Sequence, residues 1–142
     1  MTRRCFLKEG SAGAIGLCCA TSIVSLTDSC TTLKYVDAVE DAGQLKVLKS
    51  DFSKENFVIV KSGRLPAPVY LSPTAENTYA ALLMLCTHKA CELRPAGNFL
   101  SCPCHGSEFS NTGKVLKSPA EKELAQYPVT TDESAIYIHI TR

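Results

Sequence analysis

This chain of 142 residues is short of net charge, of histidine and of long hydrophobic runs. Fifteen Lys/Arg stand against fourteen Asp/Glu, a formal charge of +1. Beyond residue 29 the balance is nine Lys and three Arg against twelve Asp/Glu, so that stretch is formally neutral. A nucleic-acid partner would ask for a clustered basic face, and the sequence offers none. The apolar stretch from Gly10 to Leu26 covers seventeen residues without a charge. As a helix it would reach ~25 Å, a little short of the ~30 Å hydrocarbon core of a bilayer. The length suits one domain with a targeting segment and excludes two cores of ordinary size. No internal repeat or low-complexity stretch occurs.

What is abundant is cysteine, with eight residues in two groups. Cys5, Cys18, Cys19 and Cys30 lie in the first thirty positions. The other four belong to two short segments, Cys86-Thr87-His88-Lys89-Ala90-Cys91 and Cys102-Pro103-Cys104-His105-Gly106-Ser107. Two of the three histidines fall in the same segments. The pattern is Cys-x-His, thirteen intervening residues, then Cys-x-x-His, with one further cysteine in each segment. A mononuclear zinc finger usually pairs its cysteines first and its histidines later. Here each segment supplies one sulfur and one nitrogen, which suits a binuclear centre with two cysteines on one iron and two histidines on the other. The third histidine, His139, alternates with Ile136, Ile138 and Ile140 in a strand-like run; it reads as a half-exposed strand residue opposite the core-facing isoleucines.

The two segments resemble the Rieske [2Fe-2S] signature of cytochrome bc-type proteins, C-T-H-x-G-C…C-P-C-H-G-S. The resemblance covers residues 80–130 well and the preceding strands by pattern alone. It implies one [2Fe-2S] cluster per chain, with Cys86 and Cys102 on the inner iron and His88 and His105 on the outer. Neutral imidazoles in place of two thiolates make an added electron easier to hold, so such centres reach ~−150 to +300 mV against about −400 mV in plant-type ferredoxins. Reduction would also raise the proton affinity of the imidazoles, coupling electron to proton uptake. Cys91 and Cys104 are implied as a disulfide between the two loops, with ~3 kcal/mol of chain-entropy stabilisation. Ring-hydroxylating dioxygenase systems manage without cysteines at these positions, so that soluble branch fits less well.

Departures from the family pattern carry expectations of their own. Ala90 stands where Gly is common, a mild change provided the backbone there does not need positive φ. Ser107 is retained, with a hydroxyl able to donate to a bridging sulfide. Phe109 replaces a Tyr that donates to a cysteine sulfur in high-potential members, which implies an intermediate potential. Of the proline-rich loop that covers the cluster, Lys117-Ser118-Pro119-Ala120-Glu121 keeps only Pro-Ala. Pro119 reads either as a lid residue or as an ordinary turn before the closing strands. Lys89 and Leu93 hint at a mixed docking surface.

Thr2-Arg3-Arg4-Cys5-Phe6-Leu7-Lys8 resembles a twin-arginine export signal, and the following uncharged stretch resembles its apolar region. That route carries folded proteins, in keeping with a cluster assembled in the cytoplasm. It implies the outer face of the cytoplasmic membrane or the periplasm, an oxidising setting in which a disulfide persists. Leu26-Thr27-Asp28-Ser29-Cys30 is similar to a loose lipobox. The open alternatives are a lipid anchor on Cys30, an uncleaved helix and soluble release.

The expected organisation is a signal or anchor over 1–29, a tether over 30–43 with a helical turn near Lys34–Glu40, and a Rieske domain over 44–142 with its cluster-binding portion at about 84–120. The fold class is all-β, an antiparallel β-sandwich with a small subdomain of two loops. Strands are expected at Gln44–Lys49, Phe57–Val60, Val69–Leu71, Thr78–Leu85, Gln126–Thr130 and Ala135–Ile140, with a hairpin at Pro95-Ala96-Gly97-Asn98. The implied function is membrane-tethered one-electron transfer with a redox protein partner, a cytochrome b/c-type protein or another oxidoreductase, and without a catalytic site of its own. Narrower alternatives are the Rieske subunit of a quinol-oxidising bc-type complex and the electron-transfer subunit of a periplasmic oxidoreductase. A different class is a disulfide-stapled structural domain that binds zinc or nothing.

Overall fold

A computed structural model describes residues 33–52 and 56–140. The twin-arginine segment, the uncharged stretch after it and Cys30 lie outside the described residues. The strands in chain order are β1 (Tyr35–Asp37), β2 (Val39–Asp41), β3 (Gln44–Leu48), β4 (Val58–Lys61), β5 (Val69–Ala75), β6 (Thr78–Leu83) and β7 (Arg94–Ala96). They continue as β8 (Phe99–Ser101), β9 (Glu108–Ser110), β10 (Val115–Lys117), β11 (Gln126–Tyr127), β12 (Val129–Thr131) and β13 (Ala135–His139). Among the described residues the helical part is one 3-10 turn, Lys49–Phe52, and no helix is long and apolar enough to cross a membrane.

Three sheets result. The first has the order β1-β4-β5-β6-β11, the second β12-β13-β3-β2, and the third β10-β9-β8-β7. The all-β expectation holds, and pairing is antiparallel except for β1 with β4. The first sheet is the middle layer, because its strands bury both faces. In β4 the continuous apolar run Val58-Ile59-Val60 sends Val58 and Val60 into one core and Ile59 into the other. In β5, Val69 and Leu71 face the second sheet's Leu45, Val47, Ile136 and Ile138, while Tyr70 faces the site. That second core gathers Leu82, Met84, Leu93, Leu100 and Phe109 around Cys86 and Cys102.

Several boundaries differ from expectation for identifiable reasons. The helical turn near Lys34–Glu40 is absent; β1 and β2 occupy that stretch and pair with β4 and β3. Strand β6 stops at Leu83, where a tight turn closes with Leu85 N–H donating to the Leu83 carbonyl at 2.8 Å. Strand β5 runs on past Pro73, which has no β4 residue opposite it. The single strand expected over Gln126–Thr130 breaks at Pro128, which lacks an N–H to continue a ladder. There the chain passes from the first sheet to the second, and the Pro128 carbonyl accepts His139 N–H at 2.9 Å. Leu93, expected on a docking surface, is a core residue at 1% exposure.

Candidate metal centre

The first segment leaves β6 through Met84, whose N–H donates to Pro68 and whose carbonyl accepts Leu93 N–H. The second segment joins β8 to β9 of the small sheet. The two loops share one backbone pattern. Ala90 N–H donates to the Cys86 carbonyl and Cys86 N–H to the Cys91 carbonyl, each at 2.8 Å. Likewise Gly106 N–H donates to the Cys102 carbonyl at 3.0 Å, and Cys102 N–H to the Ser107 carbonyl at 2.8 Å. Each loop therefore closes on its own leading cysteine. In both, the residue four positions on lies in the left-handed region, Ala90 at φ 53° and Gly106 at φ 77°. The condition for a mild Gly-to-Ala change at position 90 is not met: the backbone there does need positive φ.

This closure buries Cys86 and Cys102 in one core and sets His88 against His105. Cys86 and Cys102 are free thiols, buried at 3% and 2% exposure. The two imidazole rings sit 4.9 Å apart, perpendicular to each other. His88 is half-buried and His105 exposed. His88 Nδ1 is buried without a hydrogen-bond partner, a position that costs free energy unless something coordinates it. Burial alone would push the Cys102 thiol up. The backbone N–H groups of Cys104 and His105, with the Cys86 side chain, outweigh it and hold the thiol below its ordinary value. Two thiols, one favoured toward the thiolate, and an orphaned imidazole nitrogen make a donor set of mixed sulfur and nitrogen that fits a binuclear iron–sulfur group.

Cys91 and Cys104 form a disulfide that ties the loops together, with Cα atoms 6.5 Å apart. The Cys91, Cys102 and Cys104 sulfurs lie within 4.8 Å of one another, but the bond between Cys91 and Cys104 leaves only Cys102 as a thiol there. The third loop follows β10 and contains a cis Ser118–Pro119 peptide. Pro119 is exposed and Ala120 buried. Both cysteine–histidine loops hold this segment: Thr87 Oγ1 donates to the Lys122 carbonyl at 2.7 Å, and Ser107 Oγ accepts Ala120 N–H at 3.0 Å. Thr87 carries a role that sequence reasoning missed, since its partner lies 35 residues away and nothing local marks it. Phe109 is fully buried in the same core as both free cysteines. His139 stands apart on the second sheet, its Nε2 2.9 Å from Thr130 Oγ1.

Comparison with known proteins matches residues 32–128 to the Rieske [2Fe-2S] domain. The chain is 36% identical over 73 residues to the chloroplastic cytochrome b6-f complex iron-sulfur subunit of Triticum aestivum, covering 49% of this chain and 33% of that one. It is 44% identical over 62 residues to the cytochrome b6-f complex iron-sulfur subunit of Trichodesmium erythraeum, covering 41% of this chain and 35% of that one. The matches thus span about a third of these curated relatives. Among solved structures, the cyanobacterial plasma membrane Rieske protein PetC3 from Synechocystis PCC 6803 superposes with a TM-score of 0.56 at 29% identity, covering 64% of this chain and 93% of that one. A chain from the oxygenase–ferredoxin complex of carbazole 1,9a-dioxygenase superposes at 0.55 with 24% identity, a likeness of fold alone.

Proposed function

The chain belongs to the Rieske [2Fe-2S] domain family, and from that premise we propose that Cys86 and Cys102 hold one iron of the cluster and His88 and His105 the other. The observation that carries this assignment is the buried, partnerless Nδ1 of His88, in a loop whose leading cysteine is one of two buried free thiols. The cluster, when bound, supplies a one-electron redox centre. The chain's own residues set the conditions around it. The Cys91–Cys104 disulfide fixes the spacing of the two loops, and the clamped third loop, with Pro119 at its exposed turn, limits access of water. Ser107 accepts from Ala120 and keeps its hydroxyl hydrogen for donation toward the cluster. His105, the exposed member of the set, presents the edge at which a redox partner or a quinol would approach.

The chain would work as a one-electron carrier with a cytochrome b/c-type or other oxidoreductase partner. Export by the twin-arginine route and a place on the outer face of the cytoplasmic membrane complete the reading; the tether expected over 30–43 gives way there to β1 and β2, which pair into the sheets of the domain. Two of the relatives are subunits of a cytochrome b6-f complex, which favours a narrower second reading as the Rieske subunit of a quinol-oxidising complex. An EPR-monitored redox titration of the iron-replete full chain tests both. A rhombic reduced signal with a midpoint above ~+100 mV supports the quinol-oxidising reading, and one near or below ~0 mV supports a dedicated carrier. Iron-replete protein with no such signal, or a His88→Ala variant with an unchanged one, would overturn the ligand assignment.

A further inference from the structure

The disulfide has a third sulfur beside it. Cys102 remains a thiol within 4.8 Å of both Cys91 and Cys104 Sγ. The three are graded toward solvent: Cys102 is buried, Cys91 half-buried and Cys104 exposed. A shallow cavity of about 390 Å³, lined by Cys91, Glu92, Leu93, Arg94, Pro103 and Cys104, opens beside the bond. A thiolate attacks a disulfide sulfur and expels its partner, and a third sulfur at this range needs only a small displacement to reach the bond.

We propose that Cys102 is an internal nucleophile toward this disulfide whenever the cluster does not occupy it. Cys102 gives its proton to water, its sulfur bonds to Cys91 Sγ, the Cys91–Cys104 bond breaks, and Cys104 departs with the electron pair as a thiolate that takes a proton back from water. One disulfide and one thiol are present before and after, so no oxidant or reductant is consumed. Attack falls on Cys91 for two reasons. Only Pro103, with its fixed φ, separates Cys102 from Cys104, so bonding those two would close a small, stiff ring. Cys104 is also the exposed member of the pair, the sulfur that can leave into solvent.

The consequence for iron rests on the reading of Cys102 as a ligand: once it is bonded to Cys91, the donor set is one thiolate short. Cluster insertion must then precede the oxidation that makes the disulfide, because three neighbouring thiols left without iron can pair in more than one way. Bound iron is what directs the pairing to Cys91 and Cys104.

The test uses the full chain with Cys5, Cys18, Cys19 and Cys30 changed to Ser, so that only the four site cysteines remain. The cluster is removed with a chelator under non-reducing conditions, and thiols are alkylated and mapped by peptide mass spectrometry beside the cluster-loaded chain. The expected result in the stripped chain is alkylation at Cys104, none at Cys102, and a Cys91–Cys102 crosslinked peptide. The loaded chain should keep Cys91–Cys104 alone. Exclusive retention of Cys91–Cys104 after cluster removal would overturn the proposal. So would linkages to Cys86 as frequent as those to Cys102, which mark scrambling in an unfolded chain rather than exchange between neighbours. A separate Cys102→Ser variant keeps the two readings distinct: if it loads iron with an unaltered spectrum, the ligand assignment fails while a mapped exchange stands.

Discussion

Ser107 Oγ accepts the Ala120 backbone N–H at 3.0 Å, and both residues are buried, at 0% and 2% exposure. One hydroxyl in the second loop thereby fixes the third. Two positions further along, the Thr87 hydroxyl of the first loop donates to the Lys122 carbonyl at 2.7 Å. The covering segment is thus tied to both halves of the site, and its position is a property of the two loops as much as of its own proline.

The two ties differ in cost. Ser107→Ala would leave a buried N–H without a partner, a loss of about 1–3 kcal/mol. Thr87→Val removes a bond at the surface, where water replaces the hydroxyl, so it should cost under about 1 kcal/mol. Urea unfolding of the two variants measures the difference, and amide exchange at Ala120 should accelerate in Ser107→Ala alone. Equal losses would contradict the buried and exposed assignments.

Ala90 and Gly106 make a second matched pair. Both lie at positive φ, four residues beyond the cysteine that closes their loop. An L-residue there costs roughly 1–2 kcal/mol, part of which glycine gives back through its larger unfolded-state entropy. Ala90→Gly should therefore stabilise the domain by about 0.5–1 kcal/mol. Gly106→Ala should destabilise it by a similar amount through backbone conformation alone, since an added Cβ meets nothing within 4 Å. Thermal unfolding of both variants checks the opposite signs.

The site was far more legible in the sequence than the scaffold that positions it. Cysteine and histidine in two short segments announce their chemistry by residue type and spacing, and the structure sets His88 against His105 and buries Cys86 and Cys102 in one core. Ala90 showed its departure from the family pattern but not its φ, which depends on how the loop closes. Strands β9 and β10 lie outside the expected set, although Glu108-Phe109-Ser110 alternates and Asn111-Thr112-Gly113 reads as a turn; strands of three residues are too short for an alternating pattern to stand out. Leu93 was misplaced because proximity in sequence to a surface loop says nothing of which way a residue faces. Partners such as Thr87 with Lys122 are set by long-range folding, beyond the reach of local pattern.

The turn before β13 carries a pH signature. Asp132 Oδ1 accepts the N–H groups of Ser134 and Ala135, each at 2.7 Å, and Oδ2 accepts the Tyr137 hydroxyl at 2.7 Å. The Tyr137 hydroxyl first, then these N–H groups, hold the carboxyl well below the usual carboxylate range. A depressed folded-state pKa adds stability that is complete above the unfolded value of about 4 and is lost as pH falls through the folded value. Asp132→Asn should therefore lie furthest below the parent in stability at neutral pH and approach it on acidification. A stability gap that stays constant between neutral and strongly acidic conditions would refute this.

Phe109 offers a measurement of how the core tunes the centre. It is fully buried in the side-chain cluster that includes Cys86 and Cys102, and it has no donor. In Phe109→Tyr the new hydroxyl must find a partner inside that core, and the cysteine sulfurs are acceptors within it. A donor to sulfur favours the more negative reduced state. About 1 kcal/mol of such preference corresponds to roughly 40 mV for a one-electron couple. The expected outcome is a midpoint raised by that amount in the redox titration, with little change in unfolding. The opposite result, an unchanged midpoint with a loss of about 1–3 kcal/mol in stability, would mean that the hydroxyl is buried unpaired and that the absent donor is not what sets the potential of this chain.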